Sequence, residues 1–423
     1  MKRISKKEIK KEELPKPEPP VESTPVVEGV VEAPAIIIPS NSNSMASKMS
    51  KIAHTISGQF GEKSMLFLGE HPDYAKVKNW VSTQNYALDW VCSGKADGTG
   101  GLPSERIIEL FGDPSSGKSL ILAHLLAEAQ RMGGIPVLYD VEATFDMYFA
   151  GRIGLDVSNL LYTKAYTNTT KKKKVLEKDD KGKEILVEKL IPIRVPVTIE
   201  KMQEMMENLI DITYHEFPGI LLVIGLDSVA AISTEHELDD PDKRDLTKAQ
   251  GVRKFVKMIE AKIADQNCML IATNHVTARI DMKMPWERKK GIKLGPKEDK
   301  NQPGGSGLPF GSSVRLDLTR GIDIEEGIGN VVGHEIYIYT HKNKVYLPHK
   351  QTIVEMRFDS GLDRYSGLLP VLVKKEVVED MGAQVFRYKG QRFKKHPQEK
   401  PKFIGLVEMV EKNPEMLALA NEV

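Results

Sequence analysis

The octapeptide Gly112–Ser119, "GDPSSGKS", constrains this chain more than any other stretch. It follows the apolar run "RIIELF" and leads into "SLILAHLLAEAQRM", whose apolar residues recur every three or four positions. A strand, a glycine-containing loop and a helix are therefore expected in that order. The spacing G-x-x-x-x-G-K-[ST] lets two glycines bend the backbone around an anion while successive amides at the helix start point into it. Lys118 is then expected to reach the β- and γ-phosphates of a nucleoside triphosphate, and Ser119 to ligate Mg²⁺. Gly112, Asp113, Pro114, Ser115, Ser116, Gly117 and Leu120 complete the expected contact surface. A flexible surface turn is the plain alternative, and the flanking strand and helix patterns argue against it.

From Ile107 onward, short β-rich runs alternate with helical patterns. After "RIIELF" the runs are "IPVLYD", "GILLVIGLD", "CMLIATNH", "SVRLDLT" and "EIYIYTHKNKV", separated by "TIEKMQEMMENLIDIT" and "KAQGVRKFVKMIEAKIADQ" among others. This order implies an α/β fold with a mostly parallel central sheet flanked by helices, since strands apolar on both faces must be covered on both sides. Two segments interrupt it. Residues 168–197 contain two β-prone halves around "DDKG" and read as an inserted hairpin. Its "KKKK" run could touch a polyanion, although a run of like charges is usually a solvated face. Residues 278–305 form a long polar stretch of the kind that is usually functional or disordered.

Several strand ends carry further candidates. Asp227 closes "LLVIGLD", where a buried carboxylate needs a partner; a hydrated Mg²⁺ is one, and capping the next helix is another role. Asp140 and Glu142 follow "IPVLYD" at the same expected sheet edge, and a glutamate there suits the positioning or deprotonation of water. Asn274 and His275 end "CMLIATNH" as possible γ-phosphate sensors, though a lone histidine is more often a structural residue.

The chain has 423 residues, a formal net charge of +1 and 28% charged residues. That balance gives no global sign of a polyanionic partner, so any such sign must be local. Residues 278–305 hold eight Lys or Arg against four Asp or Glu, a local excess of +4. Two cysteines, Cys92 and Cys268, suggest neither a disulfide framework nor a zinc site, and fit a reducing, intracellular setting. No apolar run approaches a membrane span, and the basic N-terminus lacks the hydrophobic region of a secretory signal. Residues 1–45 read as a disordered tail, 46–75 as a docking segment, 76–367 as the core and 368–423 as a small C-terminal α+β domain with the basic stretch "RYKGQRFKKHP".

Eight motifs stand in a recognisable order: "STQNYALDWVCSG", "GGLPSERIIELFGDPSSGKS", "YDVEATFD", "LDSVAAI", Asn274-His275, "GGSGLPFGSSVRLDL", "HKNK" and "FDSGLDRYSGLL". Through them the chain resembles the RecA family of recombinases from about Val81 to Leu369, and within it the phage UvsX branch, because bacterial members usually carry glutamine where His275 stands. The resemblance implies a RecA-like P-loop ATPase core that forms a helical filament on single-stranded DNA, pairs it with double-stranded DNA, and hydrolyses ATP with Mg²⁺. A loading factor and a single-stranded-DNA-binding protein are implied as further partners. No membrane association is implied, and the expected location is the cytoplasm, that of the host if a phage encodes the chain.

By the same resemblance Glu142 activates the attacking water, His275 senses the γ-phosphate, and Asp146 and Phe149 pack the adenine. Lys342 and Lys344 would reach the nucleotide of the neighbouring protomer, in the manner of an arginine finger. The DNA-facing loops would be about residues 234–250 and 276–311, with Lys243, Arg244, Arg279, Arg288, Lys289, Lys290, Gly304 and Gly305 as contacts. Trp286 and Phe310 could stack on bases or anchor the second loop on its own domain. Two other readings remain open: an accessory paralogue that binds ATP and DNA without strand exchange, and a ring helicase.

Overall fold

The computed structural model describes residues 43–61, 64–71, 74, 76–178, 184–239, 246–264, 266–278, 300, 301, 303–396 and 403–421. The chain divides into two compact units, Met1–Ala75 and Lys76–Val423. In the first, Asn43–Phe60 is an 18-residue helix on which Met45, Met49 and Ile52, one to two turns apart, are exposed. Of the tail read over residues 1–45, residues 1–42 lie outside the described ones.

The second unit is built on a nine-stranded sheet. In chain order its strands are β1 (Ile107–Gly112), β2 (Ile135–Asp140), β3 (Leu161–Thr163), β4 (Leu222–Asp227), β5 (Cys268–His275), β6 (Val314–Glu325), β7 (Val331–Asn343), β8 (Gln351–Arg357) and β9 (Gly361–Leu362). They lie side by side as β9-β8-β7-β6-β1-β5-β4-β2-β3. The six from β6 to β3 run parallel, and β7, β8 and β9 extend the β6 edge with antiparallel pairs.

The central parallel strands, such as β4 and β5, are mostly apolar because both faces are covered. On β5, Met269 and Ile271 pack on one side with Leu122, Leu125 and Leu126 of α1 (Lys118–Arg131). Cys268, Leu270 and Ala272 alternate to the other side. There they meet Met202, Met206 and Ile210 of α2 (Ile199–Glu216), and Phe255, Val256 and Ile259 of α3 (Leu246–Ile263). An alternation of two residues thus serves two cores at once. Each buried Leu or Ile contributes about 1.5–3 kcal/mol of transfer free energy.

Between β3 and α2 the chain makes a separate antiparallel ribbon, Tyr166–Lys178 against Glu184–Pro196, paired from Tyr166–Pro196 out to Lys178–Glu184. The C-terminal segment folds as helix Leu368–Lys374, a small four-stranded sheet and two short helices. It shares its core with helix Tyr86–Ser93: Trp90 and Val91 pack with Leu372, Phe386, Phe393 and Met409. Three of the five Lys and Arg in the expected basic stretch there are ion-paired, Arg387 to Glu379, Lys389 to Glu415 and Lys395 to Glu355. No helix among the described residues is long and apolar enough to cross a membrane.

Candidate functional site

Four parallel strands end together, and their register brings the sequence candidates to one edge. Gly112 of β1 stands opposite His275 of β5, and Asp140 of β2 opposite Asp227 of β4. The C-terminal edge of a parallel sheet is where such folds present ligand-binding groups.

The loop Gly112–Ser119 leaves β1 through a turn that only glycine satisfies. A Cβ on Gly112 would lie 2.0 Å from the carbonyl oxygen of Leu318, and one on Gly117, at φ 89°, would lie 2.4 Å from Ile336 Cδ1. Gly117 is the residue before α1, so the helix opens with its amides turned to the loop. The Lys118 ammonium folds over this loop and donates to the carbonyls of Gly112 (3.1 Å) and Asp113 (2.8 Å). Pro114, Ser115 and Ser119 are exposed, while Ser116 and Leu120 are buried. A cleft of about 150 Å³ beside the loop is lined by Ser119, Leu120, Asp146, Phe149 and Asp227 among others. Asp146 also caps the helix Met147–Arg152, accepting from the amides of Tyr148 (2.9 Å) and Phe149 (3.0 Å).

Asp227 is 8% exposed. Burial raises its pKa; hydrogen bonds from the Ser119 and Thr273 hydroxyls oppose that, and the charges of Glu142 and Asp140 add to it. The Thr273 contact is 2.5 Å. A hydroxyl and a carboxylate in contact, with two further carboxylates nearby, form a donor set that suits Mg²⁺, which takes few protein ligands and keeps waters and phosphate oxygens. Among the described residues no three His, Cys, Asp or Glu side chains converge as a protein-only metal site.

Asp140 and Glu142, adjacent in the sequence reading, separate in the structure. Asp140 holds the turn after β2, accepting from the amides of Thr144 (3.2 Å) and Phe145 (3.1 Å) and from the Tyr162 hydroxyl (2.9 Å). Burial and this carboxylate push the Tyr162 phenol up to about 12. Glu142 instead hangs on the end of β4. The amides of Val141 and Glu142 donate to the Asp227 carbonyl, Ser228 Oγ donates to Glu142 Oε1, and His275 Nε2 lies 3.0 Å from the same oxygen. Glu142 and His275, chosen separately from the sequence, thus touch.

Asn274 stands one residue before His275 on β5, opposite Phe111. It is fully buried, and its amide Nδ2 lies 3.4 Å from both Glu109 Oε1 and the Pro303 carbonyl. Glu109, also fully buried, is bound by Arg315 Nε at 2.5 Å, and the Arg315 guanidinium lies 4.7 Å from the Phe111 ring centroid. Burial raises the Glu109 pKa and the Arg315 charge opposes it. The sequence reading missed this pair, because an acidic residue inside an apolar strand carries no sign of a partner 206 positions away. Ser228 was missed as well; its only signal was its place next to Asp227.

The remaining candidates sit further out. Gly304 and Gly305 take left-handed φ of 83° and 67° and lie against Val252 and Ala249 of α3. Phe310 is 76% exposed. Lys342 Nζ donates to the carbonyls of Pro309 (3.0 Å) and Phe310 (2.8 Å), while Lys344 is exposed nearby. Burial lowers the Lys342 pKa, and the charges of Lys344 and Arg315 lower it further. Lys243, Arg244, Arg279, Trp286, Arg288, Lys289 and Lys290 lie outside the described residues.

Comparison with known proteins gives this geometry a family. The pattern of the RecA N-terminal domain matches residues 47–177 and 181–363. Proteins named RecA from Brucella canis, Brucella abortus and Brucella suis are each 29% identical over 358 residues, covering 84% of this chain and 83% of the relative. With the family pattern spanning most of its length, and the sheet order and loop in place, the chain belongs to the RecA family.

Proposed function

We propose that the chain is an ATP-dependent DNA strand-exchange recombinase, closest in type to the phage UvsX proteins, that forms a helical filament on single-stranded DNA in homologous recombination and repair. One observation carries the reading: the phosphate loop, the Ser119–Asp227 pair and the Glu142–His275 pair meet at one sheet edge, and His275 leads directly into the long segment 276–311. When bound, ATP with Mg²⁺ supplies the reacting phosphoanhydride and the charge that the site must balance.

In this reading Gly112–Leu120 cradle the phosphates, Ser119 and Asp227 hold the metal, and Lys118 balances phosphate charge. Glu142 orients the attacking water and accepts its proton, and Asp146 and Phe149 hold the base in the cleft beside the loop. His275 ties the occupancy of this edge to the segment it precedes. That segment carries a positive excess and with residues 234–250 faces DNA; Lys243, Arg244, Arg279, Arg288, Lys289, Lys290, Gly304 and Gly305 are the proposed contacts. Residues 46–75 serve as the arm that docks on the next protomer, 76–367 as the core and 368–423 as a C-terminal domain. The working location is the cytoplasm, with a loading factor and a single-stranded-DNA-binding protein as partners.

The test is ATP hydrolysis with and without single-stranded DNA, followed by a strand-exchange assay with a homologous duplex. Hydrolysis stimulated several-fold together with joint-molecule formation supports the reading. Stimulated hydrolysis that unwinds duplexes identifies a ring helicase, and DNA binding without either product identifies an accessory paralogue.

A further inference from the structure

Ser228 is fully buried at the end of β4, in the position that precedes the short helix Val229–Ala231. Serine in that position usually spends its hydroxyl on the helix amides. Here it makes no such bond. Its Oγ crosses instead to Glu142 Oε1, 86 residues away in sequence. The same two-residue strand end holds the backbone of this turn: the Asp227 carbonyl accepts from the amides of Val141 (2.7 Å) and Glu142 (3.3 Å).

The two donors to the carboxylate differ in what they are attached to. His275 Nε2 belongs to the residue that opens the segment toward the proposed DNA loop, and 33% of its side chain is exposed. Ser228 is locked into the buried sheet end. Both address Oε1, which leaves Oε2 without a protein donor among the described residues.

We infer that Ser228 is the positioning residue for hydrolysis: its hydroxyl fixes Glu142 by one oxygen so that the other stays directed at the attacking water, whichever way His275 turns. The inference rests on the assignment of Glu142 as the hydrolytic carboxylate. A carboxylate on a freely rotating arm spends most of its time out of line, and a fixed one presents its lone pair along the path of proton transfer. Ser228 itself touches neither water nor phosphate; it acts through Glu142. Losing its bond therefore lowers the rate of the chemical step while leaving ground-state nucleotide binding to Gly112–Leu120 and Asp227.

The experiment compares wild type, Ser228→Ala, Ser228→Thr, Glu142→Gln and the double variant Glu142→Gln with Ser228→Ala. Steady-state hydrolysis on single-stranded DNA gives kcat and KM; single-turnover hydrolysis follows the slow variants. Ser228→Ala is expected to lower kcat roughly ten-fold, the factor one hydrogen bond carries, with KM for ATP and analogue-dependent DNA binding within about two-fold of wild type. Ser228→Thr, which keeps the hydroxyl, is expected to restore most of the rate. In the Glu142→Gln background the alanine is expected to add nothing, because the group it positions is already gone.

Unchanged kcat in Ser228→Ala overturns the inference. So does a rise in KM as large as the fall in kcat, or a further full loss in the double variant, since each would mean that Ser228 serves the fold or Asp227 rather than Glu142. A wild-type chain whose turnover ignores DNA sinks the recombinase reading instead, and the same comparison then decides the role of Ser228 on basal turnover.

Discussion

Two carboxylates two positions apart do different work, and the difference lies in what donates to them. Asp140 is consumed by the amides of Thr144 and Phe145 and by the Tyr162 hydroxyl, so it shapes the turn. Among the described residues the Glu142 carboxylate receives only side-chain donors, Ser228 and His275, and reaches across to the next strands. Glu142→Gln is therefore expected to keep thermal stability, ATP binding and DNA binding while lowering turnover by about a hundred-fold or more, the scale of a lost general base. Substantial residual hydrolysis would mean that another group handles the water. Asp140→Asn should do the reverse: it loses charge-assisted bonds to two amides, costs about 1–2 kcal/mol of stability, and affects turnover only through the displaced turn. Equal unfolding midpoints for Asp140→Asn and wild type would remove that role.

At the scale of elements, sequence and structure agree where one strand has to satisfy two helical layers. The runs from "RIIELF" to "EIYIYTHKNKV" are legible because a parallel strand between helices is apolar at nearly every position and the antiparallel β7 alternates apolar with polar residues; they are β1, β2, β4, β5, β6 and β7. The ends of these strands were legible too, since polar residues there have no structural reason to follow an apolar run. What was not legible is long-range polar pairing inside the elements: Glu109 with Arg315, and His124 on α1 with β9. His124 is 3% exposed, and its Nε2 accepts from the Leu362 amide at 3.0 Å, so Nδ1 carries the proton and donates to Gln84 Oε1 at 2.8 Å. Burial lowers its pKa to about 4. A histidine depressed in the folded state contributes stability that is full above its unfolded pKa, near 6.5, and is lost as pH falls toward the folded value, because only the unfolded chain takes up the proton. Between pH 7.5 and pH 5 this one residue should cost the folded state roughly 2 kcal/mol. The check is denaturant unfolding at the two pH values: His124→Gln should show a smaller loss than wild type by about that amount, and equal losses would mean that the imidazole is not held neutral.

At the scale of the molecule, the unresolved tension is the lysine pair. Lys342 and Lys344 stand two residues apart at the end of β7, and burial, together with the charges of Lys344 and Arg315, lowers the affinity of Lys342 for its proton. Inside one protomer the Lys342 ammonium donates, among the described residues, to two carbonyls, those of Pro309 and Phe310 at the far end of the proposed DNA segment, with the charges of Glu260 and Glu109 acting against those of Lys344 and Arg315. Carbonyl dipoles offset part of the cost of gathering cations; a phosphate offsets much more. A site supplied by a second copy of the chain would bring that phosphate, so hydrolysis is expected to depend on assembly. Lys342→Ala should then leave ATP binding by unassembled protomers unchanged and lower DNA-stimulated turnover at least ten-fold, toward the larger effects seen when a cation acts on a neighbour's nucleotide. The measurement is turnover on single-stranded DNA against protein concentration. Wild-type specific activity should climb as protomers come into contact, and the variant should stay near its dilute value at every concentration. A variant whose activity climbs in parallel with wild type, or whose unassembled protomers already bind ATP more weakly, would place Lys342 in its own protomer's chemistry and leave the carbonyls of Pro309 and Phe310 as its whole purpose.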